Sequence, residues 1–195
     1  MGKVCVDITM SLDGFIAGPN DEIDPLHDWL YGLSSWREPH GIEGGTTDPD
    51  SDVLEEAMSS AGAIVIGRRM HDLTGGWGDN PPFQVPLFVV THRAVPPQTK
   101  ANGTTFTFVT DGIESALAQA QAAAGDRNVA VGGGASTIQQ ILRADLVDEM
   151  QVHIAPVLLG RGIRLFEEGR PDLVRLEANR VLASPNVTHL RYRVR

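Results

Sequence analysis

The chain has 195 residues, 42% of them hydrophobic and 21% charged, and its 16 Lys+Arg against 25 Asp+Glu leave a formal charge of −9. That length suits one compact domain spanning 1–195 with a sizeable core, and the acidic balance argues against a basic face for duplex nucleic acid. One cysteine, Cys5, excludes an internal disulfide or a thiolate metal cluster, and no apolar run reaches the roughly twenty residues of a membrane helix. No secretory leader pattern opens the chain, so a soluble cytoplasmic protein is expected.

In chain order, Lys3 to Met10 reads as a strand because β-branched and apolar residues dominate it. Ser11 to Asn20 mixes apolar anchors with turn residues and is expected to be a packed loop. Pro25 to Leu33 suits a short helix with Asp24 as cap and Pro25 in its first position. The stretch 34–50, rich in Gly and Pro, is expected to be a surface insertion, since the segment before it is too short to hold a core of its own. Ser51 to Ser60 reads as a helix capped by Ser51. Ala63 to Ile66, Leu87 to Val90 and Val129 to Val131 are wholly apolar, as strands buried on both faces are. Phe106 to Val109 adds a strand, Asp111 to Ala124 a helix stopped by Gly125, Ala135 to Arg143 a second helix, and Val147 to Ile154 an alternating strand. Leu173 to Leu182 and Val187 to Val194 pair as a terminal hairpin across Ala183 to Asn186. The alternation predicts an α/β three-layer sandwich with a mostly parallel central sheet and a C-terminal antiparallel hairpin.

In such sheets ligands bind beyond the carboxyl ends of the strands. Three predicted ends run into unusual sequence: Gly67-Arg68-Arg69, Thr91-His92-Arg93, and Gly132-Gly133-Gly134-Ala135-Ser136-Thr137 before a helix. Glycines there let backbone N–H groups approach an anion, and the helix start adds partial positive charge. Each junction alone reads equally well as a tight connection with solvated arginines; the convergence of three points to a ligand with several phosphates. The strict dinucleotide fingerprint is absent, because Thr137 stands where its last glycine belongs. The six histidines lack metal-site spacing, and His153 is expected to be structural.

These segments, with Ser11-Leu12-Asp13-Gly14-Phe15-Ile16-Ala17 before them and Asp148-Glu149-Met150 through Ile154-Ala155-Pro156-Val157-Leu158-Leu159-Gly160 after them, resemble the dihydrofolate reductase-like superfamily. The likeness is strongest to its riboflavin-biosynthesis reductase branch and covers most of the chain in the family's order. The resemblance implies a dihydrofolate reductase-like fold and an NADPH cofactor. It puts the pyrophosphate at Gly132, Gly133, Gly134, Ala135, Ser136 and Thr137 with Gly67, and the adenosine 2′-phosphate at Arg68, Arg69, Thr91, His92 and Arg93. Ile16 and Ala17 would then lie beside the nicotinamide.

Departures bear on the substrate. Riboflavin-biosynthesis reductases typically carry Glu-Gly-Gly where this chain has Gly132-Gly133-Gly134, and their common fused deaminase is absent. Asp28 is the candidate for a proton-relay or pterin-anchoring carboxylate, with an ordinary surface acid as the other reading. Asp13 is a second candidate acid or a simple turn residue. Trp77 is the best-placed tryptophan to stack on a flat heterocycle. The leading expectation is an NADPH-dependent reductase transferring hydride to a small heterocyclic substrate, pterin-like or pyrimidine-like, with no metal. The alternative is a nucleotide-binding sensor or carrier without turnover. The terminal hairpin suits a sheet-edge homodimer as well as a single chain.

Overall fold

A computed structural model describes residues 2–166 and 173–195. Its elements in chain order are β1 (Val4–Ser11), β2 (Phe15–Ala17), α1 (Asp28–Tyr31), α2 (Ser34–Arg37), α3 (Pro49–Ser60), β3 (Ala61–Gly67), α4 (Arg68–Leu73) and β4 (Leu87–Val90). There follow β5 (Gln98–Thr99), β6 (Thr105–Val109), α5 (Ile113–Ala124), β7 (Asn128–Gly133), α6 (Ala135–Arg143), β8 (Glu149–Ala155), β9 (Ile163–Arg164), β10 (Leu176–Ala183) and β11 (Thr188–Val194).

Among the described residues one sheet runs in the order β10-β11-β8-β1-β7-β3-β4-β6-β5. Its strands from β8 to β6 are parallel, and antiparallel strands lie at both margins. This is the expected sandwich with the expected C-terminal hairpin. Val4 and Val6 of β1 and Val129 and Val131 of β7 point to one face, where they bury Leu117 of α5 and Ile138 and Ile141 of α6. The period of two sends Cys5, Asp7 and Thr9 to the other face, towards α1 and α3.

Two helix starts differ from the sequence expectation. The 25–33 helix shrinks to α1, because Leu26 N–H turns back to Ile23 O (2.8 Å) and helical geometry begins only at Asp28; Asp24 caps nothing. The next helix begins earlier than Ser51. Asp48 is its cap, accepting from Asp50 N–H (2.9 Å) and Ser51 N–H (3.3 Å), while Ser51 Oγ accepts from Asp48 N–H. Pro49, which has no N–H to leave unpaired, fills the first helical position. The shift brings Asp50 inside the first turn, where it is buried. The stretch 34–50 holds α2 and a 3-10 turn at Glu38–His40, with Arg37 bonding the carbonyls of Glu43 and Gly44. β2 and β9 form a small second sheet within what reads as loop.

The sheet face towards α3 carries an ion-pair cluster. Lys3 Nζ and Arg191 Nη2 meet the buried Glu149 carboxylate at 2.5 and 2.8 Å. Burial works to raise that carboxyl, but hydrogen bonds from Lys3 and Arg191 outweigh it and hold it below the usual glutamate range. A depressed folded-state value stabilises the fold above the ordinary carboxylate range, and the gain is lost as pH falls through the folded value. Glu149→Gln should therefore cost about 1–3 kcal/mol at pH 7. In urea titrations the gap to wild type should close on acidification below about pH 4; a gap independent of pH would show that packing, and not charge, is lost.

Candidate active site

A cavity of about 990 Å³ opens between this sheet face and the layer made by α1, α2, α3 and the loop 74–86. Its floor is made by outward-alternating residues of adjacent strands: Gln151 of β8, Asp7 of β1, Ala130 and Gly132 of β7, Ile64 and Ile66 of β3. The β3 side is apolar, with Met70, Trp77 and Phe83, and the Trp77 and Phe83 rings meet edge to face at 5.0 Å. The β1–β8 side is polar. A large cavity, mostly apolar with a few convergent polar groups, is the general form of a small-molecule site.

Gly132 belongs both to the cavity wall and to the glycine run. Beyond it the backbone needs Gly133 at φ +126°, and Gly134 precedes the first turn of α6, where leading amides have no upstream carbonyl. Gly67 faces the same turn: a Cβ there would stand 2.5 Å from Thr137 Oγ1. Above Gly134 the position of a Cβ is open, with no atom within 4 Å. Thr137 is buried and Ser136 exposed. The ends of β3 and β7 thus build a cradle of small residues and amides that a phosphate group fits.

The cationic candidates divide. Arg69 pairs with Asp21 at 2.6 Å, and Arg68 Nε donates to both Asp72 oxygens, at 2.7 and 2.8 Å. Each arginine thus has a carboxylate within the chain. Arg68 Nη1 is nevertheless buried and without a partner among the described residues. His92 and Arg93 are exposed beyond β4, where Thr91 Oγ1 accepts from Arg93 N–H (3.1 Å) and fixes the turn. Ile16 and Ala17 lie buried in β2.

Asp28 is exposed and lies outside the cavity lining, whereas its neighbour His27 lines it. Burial pushes His27 down, against a 3.4 Å contact with the Ile23 carbonyl. Asp13 accepts from Ser11 Oγ (2.6 Å) and from the amides of Leu159 (3.1 Å) and Gly160 (2.7 Å), so it ties the loop after β1 to the turn after β8. The Ser11 hydroxyl and then those amides lower its carboxyl.

Two carboxylates line the β1–β8 floor, Glu149, paired with Lys3 and Arg191, and Asp7, which the sequence does not single out. Its Oδ1 meets His153 Nε2 at 3.0 Å, His153 Nδ1 meets His189 Nδ1 at 2.5 Å, and His189 Nε2 meets Asp50 Oδ1 at 3.0 Å. Asp50 Oδ2 accepts from Ser184 Oγ at 2.8 Å, and Asp7 Oδ2 from Gln151 Nε2 at 3.2 Å. Trp29 covers both imidazoles, at 4.9 and 5.0 Å between centroids. Burial and the neighbouring His153 push His189 down, with the Asp50 bond opposing them. An acid inside an otherwise apolar strand, Val6-Asp7-Ile8, was the available signal; its partners lie more than a hundred residues away.

The fold is an α/β sandwich with a large cleft, and sequence comparison places it in a family. The profile of the RibD C-terminal domain family matches residues 2–190, and the chain belongs to that family. A Bacillus subtilis relative, the uncharacterized protein YyaP, is 27% identical over 171 residues, covering 84% of this chain and 80% of its own. A Shewanella sp. PV-4 protein named for riboflavin biosynthesis superposes with TM-score 0.75 at 24% identity, over 99% of both chains. The Saccharomyces cerevisiae riboflavin biosynthesis reductase Rib7 gives 0.62 at 14% identity, over 100% of this chain and 90% of its own. Dihydrofolate reductase from Enterococcus faecalis, solved with NADP(H), gives 0.57 at 14% identity, over 98% and 96%.

Proposed function

We propose that the protein is an NADPH-dependent reductase that transfers hydride to a small flat nitrogen heterocycle, pyrimidine-like or pterin-like. The observation that carries this reading is the double position of Gly132, in the wall of the cavity beside Asp7 and at the start of the glycine cradle. A dinucleotide held by its phosphates at the cradle would have the adjoining cavity within reach of its reactive ring. Membership of the RibD C-terminal domain family and the fold shared with a dihydrofolate reductase that binds NADP(H) support the same reading.

Bound NADPH supplies the hydride. The chain's own residues supply position and a dry site. Amides at the start of α6 would hold the pyrophosphate, with Gly67 leaving room for Thr137 beside them. Arg93 and His92, exposed beyond β4, would hold the 2′-phosphate, and the buried Arg68 Nη1 would be one further donor. Trp77 and Phe83 form an aromatic wall for a planar ring, and α1 to α3 shield it from water. Family members with Glu at the position of Gly132 carry an acid there; in this chain Asp7 supplies a carboxylate in the same wall.

A charge-assisted bond to the 2′-phosphate is worth about 1.5–3 kcal/mol, or roughly a ten- to hundred-fold preference for NADPH over NADH. Arg93→Ala should weaken NADPH by that factor and leave NADH unchanged, and added salt should narrow the wild-type preference. Equal weakening of both cofactors in a fluorescence titration would remove Arg93 from the 2′-phosphate site.

A further inference from the structure

We propose that the chain Asp7–His153–His189–Asp50 stores one proton and delivers it, at Asp7, to the nitrogen or oxygen atom of the group being reduced. The inference rests on the reductase reading above, and it follows from counting protons.

A hydrogen bond between two acceptor-capable atoms holds one proton. The chain has three such contacts in series: Asp7 Oδ1 to His153 Nε2, His153 Nδ1 to His189 Nδ1, and His189 Nε2 to Asp50 Oδ1. Two neutral imidazoles and two carboxylates bring two protons. With only two, either the facing Nδ1 lone pairs meet bare at 2.5 Å or an imidazole nitrogen meets a carboxylate oxygen bare. Both are repulsive in a buried site. Three protons satisfy all three contacts and leave the group with one negative charge, whichever atoms carry them. The protons therefore belong to the assembly and not to a single residue.

Its surroundings keep that proton in place. His153, His189 and Asp50 are buried, and Trp29 packs on both rings. The groups that face the chain are Thr9 and Asp7 from β1, Gln151 from β8, Asp50 from α3, His27 ahead of α1 and Ser184 from the β10–β11 turn. Further along the same sheet face, Lys3 and Arg191 are paired with Glu149, and Arg191 also with Glu56. No positive side chain among these groups displaces the proton. The Asp7 side chain, 32% exposed, is the member that opens to the cavity.

Reduction of a C=N or C=O bond adds hydride to carbon and one proton to nitrogen or oxygen. Here the Asp7 O–H bond breaks as the new N–H or O–H bond forms, and the assembly is left with two protons. A proton taken up from bulk solvent at Asp7 then restores the third. Asp7 acts as the acid; His153, His189 and Asp50 are positioning residues whose contacts in series hold the shared proton next to it.

The test uses the full-length protein labelled with nitrogen-15 in its histidine rings. Without cofactor or substrate, NMR at pH 7 should show all three contacts occupied, with one proton between the facing Nδ1 atoms and one at each contact of a ring Nε2 with a carboxylate. His189→Phe should abolish the shared Nδ1 proton. Asp7→Asn, at the accessible end, should lower kcat about 100-fold or more while the NADPH Kd changes less than about two-fold. Two rings that titrate as separate neutral imidazoles overturn the proposal, as does full kcat in Asp7→Asn. A third proton in a wild type that neither binds NADPH nor turns over overturns delivery through failure of the reductase reading, a result distinguishable from failure of the proton count.

Discussion

Gly134→Val is expected to weaken NADPH binding by about 100-fold, some 2.7 kcal/mol, while the melting temperature moves by less than about 2 °C. The backbone at Gly134 has φ −81°, open to any residue, and no atom stands within 4 Å of where its Cβ would be. A branch at that position points into space the protein leaves open at the Cβ. The neighbouring glycine is a poorer probe. Gly133 sits at φ +126°, and its Cβ would press on Met70 Sδ at 3.4 Å and Ile8 Cδ1 at 3.5 Å, so loss of binding in Gly133→Val would mix strain with obstruction. Fluorescence titration beside thermal unfolding separates the two effects. A folded Gly134→Val protein with wild-type affinity would place the phosphates elsewhere.

Asp50→Ala should cost about 3–5 kcal/mol of stability, which for a chain of this size lowers the melting temperature by roughly 10 °C. Asp50 is 2% exposed and is the acceptor for both His189 Nε2 and Ser184 Oγ. Removing it leaves the buried His189 Nε2 without its acceptor and unlinks α3 from Ser184 in the β10–β11 turn. Asp52, two residues on and exposed, provides the control: Asp52→Ala should stay within about 0.5 kcal/mol of wild type. Calorimetry of the two variants decides the matter. Equal stability would show that the buried network contributes nothing to the fold.

The sheet was legible because apolar strands such as 63–66, 87–90 and 129–131 carry their own signal, and the Ala/Gln-rich run ending at Gly125 can only be a helix. Pairings between distant residues were not legible. β2 reads as loop because its partner β9 lies about 150 residues away, beyond any local pattern. The cap of α3 was misplaced by a competition that the sequence does contain: Asp48-Pro49 is a stronger start than Ser51, and only the earlier start buries Asp50. The glycine junctions were read from composition because phosphate cradles need small residues in sequence. The acid in the cleft was not, since Asp7 gains its meaning from His153, and His153 from His189, across strand neighbours that only the register reveals. Arg68 and Arg69 show the opposite fault. Their charge was visible, but Asp72 and Asp21, which partly satisfy it, were not assigned to them.

The reductase reading is tested most directly by mixing the purified protein with NADPH and, in turn, dihydropterin and aminopyrimidine compounds, and following loss of the dihydronicotinamide absorbance. The account predicts saturable NADPH binding and, with at least one such heterocycle, oxidation of the cofactor matched mole for mole by reduced product. Tight binding of NADPH with no oxidation across the panel would favour a nucleotide sensor, and no binding at all would contradict the account at its root.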